Sequence, residues 1–147
     1  MMTIESTQLA EQGKNAFKDK KFEEAVKLFE QAAEGFTSAQ NSLMAAEMKN
    51  NVSVALVQLE RYQEALHAAL NTDAVFAAAN DIKREAMALG NQAAALDGLR
   101  RYDEAIAKYE RSADLFGQAG EGDLRAMVSK SAAAIKLKTG KITESAF

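Results

Sequence analysis

The sequence predicts an all-α protein built as a helical-repeat solenoid. Three observations carry that expectation. One phrase recurs at a fixed interval, the apolar residues within each recurrence fall three or four apart, and proline is absent from a chain with no stretch of period-two alternation. The phrase reads KKFEEAVKLF around Phe22, ERYQEALHAA around Tyr62 and RRYDEAIAKY around Tyr102, and it begins again near Ile142. Setting Phe22, Tyr62 and Tyr102 in register aligns Ala25, Ala65 and Ala105, then Val26, Leu66 and Ile106, then Phe36, Phe76 and Phe116 without a gap, so the period is 40 residues.

The elements follow in order. A first helix over 4–19 carries Leu9, Gly13, Ala16 and Phe17 on one face and ends at the polar turn DKK. The second, 22–38, buries the stripe Phe22, Ala25, Val26, Phe29, Ala33 and Phe36, with Glu23 and Lys27 paired on its outer side, and stops at SAQNS. The third, 42–59, repeats the first through Val52, Ser53, Leu56 and Leu59, with Asn41 or Ser42 as its N-cap. A fourth is expected unbroken over 62–78, followed by AAND and a fifth over 82–99, capped by Asp81. The sixth, 102–118, repeats the second, with Glu104 and Lys108 as its outer pair. After GQAGEG, a seventh over 123–138 opens at Asp123. Gly13, Ser53, Ala93 and Ala133 place a small residue at one register of every first helix, where two helices nearly touch. Helix pairs at a fixed period stack, each burying its apolar face on the next.

The totals agree with one domain over 1–147, with repeats at 4–41, 42–81 and 82–122, a capping helix at 123–138 and the start of a further helix at 142–147. Eighteen basic against 21 acidic side chains leave a net charge of -3, which argues against nucleic acid as a partner. With no cysteine there is neither a disulfide framework nor a thiolate site, and no metal or other cofactor is expected. No apolar run reaches the length of a membrane span and the first residues lack a secretory pattern, so a cytoplasmic location is expected. The single histidine, His67, has no neighbouring nucleophile, and the Gly-rich GQAGEG lacks a P-loop lysine; neither marks an enzyme.

The small residue late in each first helix (Gly13, Ser53, Ala93), the aromatic opening each second helix (Phe22, Tyr62, Tyr102) and the alanine three residues on (Ala25, Ala65, Ala105) resemble the tetratricopeptide repeat. The likeness covers essentially the whole chain. The 40-residue period without proline departs from the usual 34 residues and resembles the long-helix branch found in kinesin light chains and spindle-orientation adaptors. The resemblance implies a right-handed α-solenoid of three such hairpins plus a capping helix, acting as a non-enzymatic protein-interaction module. Lys136, where the first three repeats hold Ala16, Leu56 and Leu96, is expected to face water as part of that cap.

The same resemblance implies a concave face lined by the first helix of each pair. By register that face holds Lys14, Phe17 and Lys18 in the first repeat, and Glu47, Asn50, Asn51, Val54 and Gln58 in the second. Met87, Asn91 and Asp97 follow in the third, and Met127, Lys130 and Ser131 in the cap. Asn51 and Asn91 share one slot in successive repeats, and an amide offers both a donor and an acceptor to the backbone of an extended or helical peptide. The family's carboxylate clamp is not expected, because its five positions hold Ala10, Lys14, Asn51, Met87 and Asn91, of which only Asn51 agrees. The alternative is a tethering or homo-oligomerising module that assembles through the C-terminal end near Ile142 and Phe147.

Overall fold

The computed structural model describes residues 2–140 and consists there of eight helices: α1 Met2–Lys18, α2 Phe22–Ser38, α3 Ser42–Gln58, α4 Tyr62–Ala69, α5 Thr72–Ala78, α6 Ile82–Gly98, α7 Tyr102–Gln118 and α8 Gly122–Lys138. Apart from α4 and α5, each helix packs on its neighbours along the chain; α3 and α4 both also meet α6, and α3 meets α5. This is an all-α solenoid. The core forms two main clusters, one from α1 to α4 with Ala95 of α6, around Phe29, Phe36 and Leu56, the other from α6 to α8 around Ile106, Phe116 and Ile135. Leu66 of α4 packs against both and makes the stack continuous.

The beat of the chain is twenty residues, half the sequence repeat. Lys20, Gln40, Glu60, Asn80, Arg100, Gly120 and Gly140 all adopt left-handed backbone, with φ between 58° and 75°. After the first six of these, the next N–H donates to the carbonyl five residues back, as in Lys21 to Ala16 and Asn41 to Phe36, both at 2.8 Å. This is the Schellman closure of a helix, which satisfies carbonyls that the helix end would orphan. Five of these positions carry a side chain in a conformation that costs an L-residue about 1–2 kcal/mol. The bonded turn and the docking of the next helix hold them there.

The recurring aromatic has a partner in the following repeat. Tyr62, at the start of α4, lies so close to Gly98 of α6 that a β-carbon there would run into the ring. Tyr102 meets the corresponding end of α8, where Lys138 Nζ stands 4.9 Å from the ring centre. Within the first repeat, Phe22 packs edge-on against Phe17 with centroids 5.2 Å apart. The small-residue slot also has a physical reason. A β-carbon on Gly13 would stand 2.7 Å from Phe29, Ser53 is buried and donates to the Ala65 carbonyl at 2.8 Å, and Ala93 is wholly buried.

Four expectations need correction. The helix expected over 62–78 is broken: Leu70 is extended, Asn71 is left-handed with φ 67°, and α5 starts anew at Thr72. Asp123 does not cap the last helix, which begins one residue earlier and leaves Asp123 inside its first turn. Lys136 does not simply face water; its ammonium pairs with Glu110 of α7 at 2.9 Å and pins α8 to the stack. Glu104 is held chiefly by Arg101, three residues before it and outside the helix, with Lys108 acting only through its field. Asn41 and Asp81 do cap α3 and α6, accepting from Met44 N and Arg84 N. Ala133 is exposed, unlike its buried counterparts. The start of a further helix at 142–147 lies outside the described residues.

Candidate functional site

The break in the second repeat decides the place of one predicted site residue. It leaves the Ala69 carbonyl without its helical partner, and a buried polar network takes over. Thr72 Oγ1 donates to Ala69 O at 2.8 Å and to Asn50 Oδ1 at 3.1 Å. Gln92 Nε2 donates to Ala69 O at 3.0 Å and to Asp73 Oδ1 at 2.8 Å. Asn50 is therefore buried, with its Oδ1 engaged at the break, and it also borders the cavity that Asn51 and Asn91 share. Gln92 stands in the slot that Val52 fills in the preceding repeat, and the polar residue replaces the apolar one where a carbonyl has to be satisfied.

Asn51 and Asn91 are both half-buried and line one cavity of about 110 Å³, together with Val54 and Met87. Arg84 of α6 crosses that cavity toward Glu47 of α3, at 3.7 Å, while also bonding Asp81 at 2.9 Å. Those two carboxylates, Asp81 first, hold the Arg84 guanidinium firmly charged. Toward the N-terminal end, Asn51, Val54 and Glu47 also border a cavity of about 210 Å³, shared with Lys14, Phe17 and Phe29. Toward the C-terminal end, Met87 and Asn91 also border a third of about 290 Å³, closed by Tyr109, Leu124, Met127 and Ser131. Shared residues make the three cavities a continuous run across α1, α3, α6 and α8.

Four predicted residues lie outside these cavities. Lys18, Gln58 and Lys130 are exposed on the same helices, and Asp97 is taken up by Lys138 at 3.1 Å. Other residues line the run without having been singled out from the sequence, among them Arg84, Gly90 and Tyr109. Tyr109 belongs to the buried stripe of α7, yet it borders the third cavity. Burial, and then the Asp97 carboxylate, push its phenol above the usual range, while the hydroxyl of Ser131 pulls it back. The spacing of α7 shows only that Tyr109 faces inward; its passage between α6 and α8 depends on how those helices are set, which no local pattern reveals.

A larger cavity, about 640 Å³, lies on the other side of α3, between α2 and α4. Glu30, Glu34, Glu64 and His67 border it over Val52 and Leu56. His67 is exposed there. No described helix is long and apolar enough to cross a membrane.

No family model matches the chain, and no curated protein matches it. Its likeness is to solved structures. A TPR-like protein from Chlorobium tepidum superposes with a TM-score of 0.78 at 20% identity, covering 95% of this chain and 99% of that one. The TPR domain of Arabidopsis OM64 gives 0.72 at 21% identity, covering 91% and 98%. Aspartyl phosphate phosphatase F from Bacillus subtilis gives 0.73 at 12% identity, covering 97% of this chain but 43% of that protein. At these identities the likeness shows the fold, a tetratricopeptide-like helical-repeat solenoid.

Proposed function

We propose that the chain is a non-enzymatic protein-interaction module that receives an extended or helical peptide segment along α1, α3, α6 and α8, and that it acts in the cytoplasm. The observation that carries this is the pairing of Asn51 and Asn91. Two amides one repeat apart border the same cavity, half-buried, with Val54 and Met87 beside them. Amides so placed suit the alternating N–H and C=O groups of a peptide backbone, and the apolar neighbours supply the contact area that hydrogen bonds alone do not. The 40-residue period fits the resemblance to the long-helix branch of tetratricopeptide adaptors.

The test starts from a peptide selected on the intact protein from a random displayed library. Asn51→Ala with Asn91→Ala should weaken that peptide about tenfold, the sum of two hydrogen bonds of roughly 0.5–1.5 kcal/mol each. The melting temperature should hold, because neither amide is tied into the core. Unchanged affinity would remove the reading.

A second reading, tethering or homo-oligomerisation through the C-terminal end, draws on Ala133. It is exposed where Gly13, Ser53 and Ala93 are buried, and Leu137 nearby is 58% exposed. Light scattering that shows a concentration-dependent dimer, abolished by Ala133→Glu, would favour it.

A further inference from the structure

Independently of the groove along α1, α3, α6 and α8, we propose a second site on the other side of α3. There the cavity of about 640 Å³ between α2 and α4 takes an arginine side chain and a neighbouring apolar residue from a basic segment of a partner protein. Departures from the internal repeat point to this place. Lys49 stands where the first and third repeats hold Leu9 and Leu89, Leu70 where they hold Glu30 and Glu110, and His67 where they hold Lys27 and Ala107. All three departures border the one cavity.

These exchanges leave a hollow open. Leu89 is buried in the core of the third repeat, whereas Lys49 keeps its ammonium exposed and does not fill the same place in the second. The break adds to this. Leu70 is extended there and 54% exposed, an apolar side chain on a rim where the other repeats carry glutamate. Leu70 and Lys49 also border a cavity of about 240 Å³ over Ala45 and Val75, so the two hollows run into one another and give room for more than one residue of a partner.

Charge and shape select the occupant. The floor of the larger cavity is apolar, made by Ala33, Val52 and Leu56. Glu30 and Glu34, one turn apart on α2, stand at its wall. Like charges four residues apart on a helix repel, and among the described residues neither carboxylate belongs to an ion pair. Arg61 acts on Glu30 only through its field, because its hydrogen bonds go to Glu64. An arginine answers both surfaces: its aliphatic stem lies along the floor, and its planar guanidinium has donors enough for two carboxylates. Lys49 opposes that cation from α3, which gives the site a distinctive signature.

The experiment titrates the intact, nitrogen-15-labelled protein with acetyl-Leu-Arg-Leu-amide and with its citrulline twin, which keeps the shape and lacks the charge. Saturating shifts are expected on α2 and α4 around Glu30, Glu34, Gln63 and His67, with the citrulline peptide about tenfold weaker. Glu30→Gln with Glu34→Gln should weaken the arginine peptide to the same extent; both positions are exposed, so the melting temperature should hold. Lys49→Gln should tighten it about threefold by removing the opposing charge. Asn51→Ala with Asn91→Ala should leave it unchanged, which separates this site from the groove. Equal binding of the two peptides, or indifference to the glutamate variants, would overturn the proposal while the groove reading stands. Spermidine matching the arginine peptide in affinity and in the residues it shifts would overturn a protein segment as the occupant. So would self-association of the protein abolished by the same glutamate variants.

Discussion

Gln92 shows how a single side chain answers a need set elsewhere in the chain. Its amide satisfies Ala69 O and Asp73 at the break in the second repeat, twenty or so residues away. Gln92→Leu, close in shape, should cost about 1–3 kcal/mol in urea unfolding, the penalty of leaving buried polar groups short of partners. The same change in the first repeat's slot, at Gln12, should cost nothing measurable, because that residue is exposed. Asp81 gives a pH signature. Burial pushes its carboxyl up, but the side-chain and backbone hydrogen bonds from Arg84 outweigh this and hold it below the usual range. A depressed folded value means stability that is present above the unfolded value, about 3.9, and lost as pH falls through the folded one. Asp81→Asn keeps the cap and removes this dependence, so the melting temperatures of the two proteins should converge on acidification. Caps such as Asn41 and Asp81 are legible in sequence because both partners are three residues apart. Asn50, Gln92 and Tyr109 are not, since their partners lie on other helices.

At the scale of the elements, seven of the eight helix starts match sequence expectation to within two residues. The start of α5 is missing from that expectation. The signal was present in Asn-Thr-Asp at 71–73, a residue type that tolerates left-handed backbone followed by two that cap, standing where the other repeats have Gln-Ala-Ala at 31–33 and Arg-Ser-Ala at 111–113. The strong alignment of Phe36, Phe76 and Phe116 masked it, because a break that neither adds nor removes a residue leaves the register intact. The left-handed turns were hidden for a related reason: they fall at Lys20, Gln40, Glu60 and Arg100, residue types that do not announce that conformation. Glycine at any of these exposed positions should therefore stabilise the protein, by about 0.5–1 kcal/mol each, as strain relief exceeds the added entropy of the unfolded chain. Thermal melts of Lys20→Gly and Arg100→Gly check this; Asn80→Gly should gain less, because asparagine already tolerates the turn.

Across the whole molecule, stability is a sum over neighbours, since every substantial packing contact is between helices no more than three apart in chain order. Among the described residues, α1 packs chiefly on α2 and α8 on α7, while α3 and α6 are covered on both sides. Hydrogen exchange should accordingly be fastest in α1 and α8 and slowest in α3 and α6, with uniform protection speaking against a solenoid. The solenoid itself was legible because a 40-residue echo survives in sequence. The groove was legible only as a list of slots, and packing sorted that list: it brought Asn50, Asn51 and Asn91 to one cavity, tied the Asn50 carbonyl to the break and engaged Asp97 with Lys138.

The most direct measurement is a nitrogen-15 correlation spectrum of the protein titrated with a library-selected peptide. Shifts centred on Asn51, Val54, Met87 and Asn91 are predicted, with α2 and α4 unmoved. Shifts confined to the opposite side, around Glu30, Glu34 and His67, would contradict the assignment of the groove.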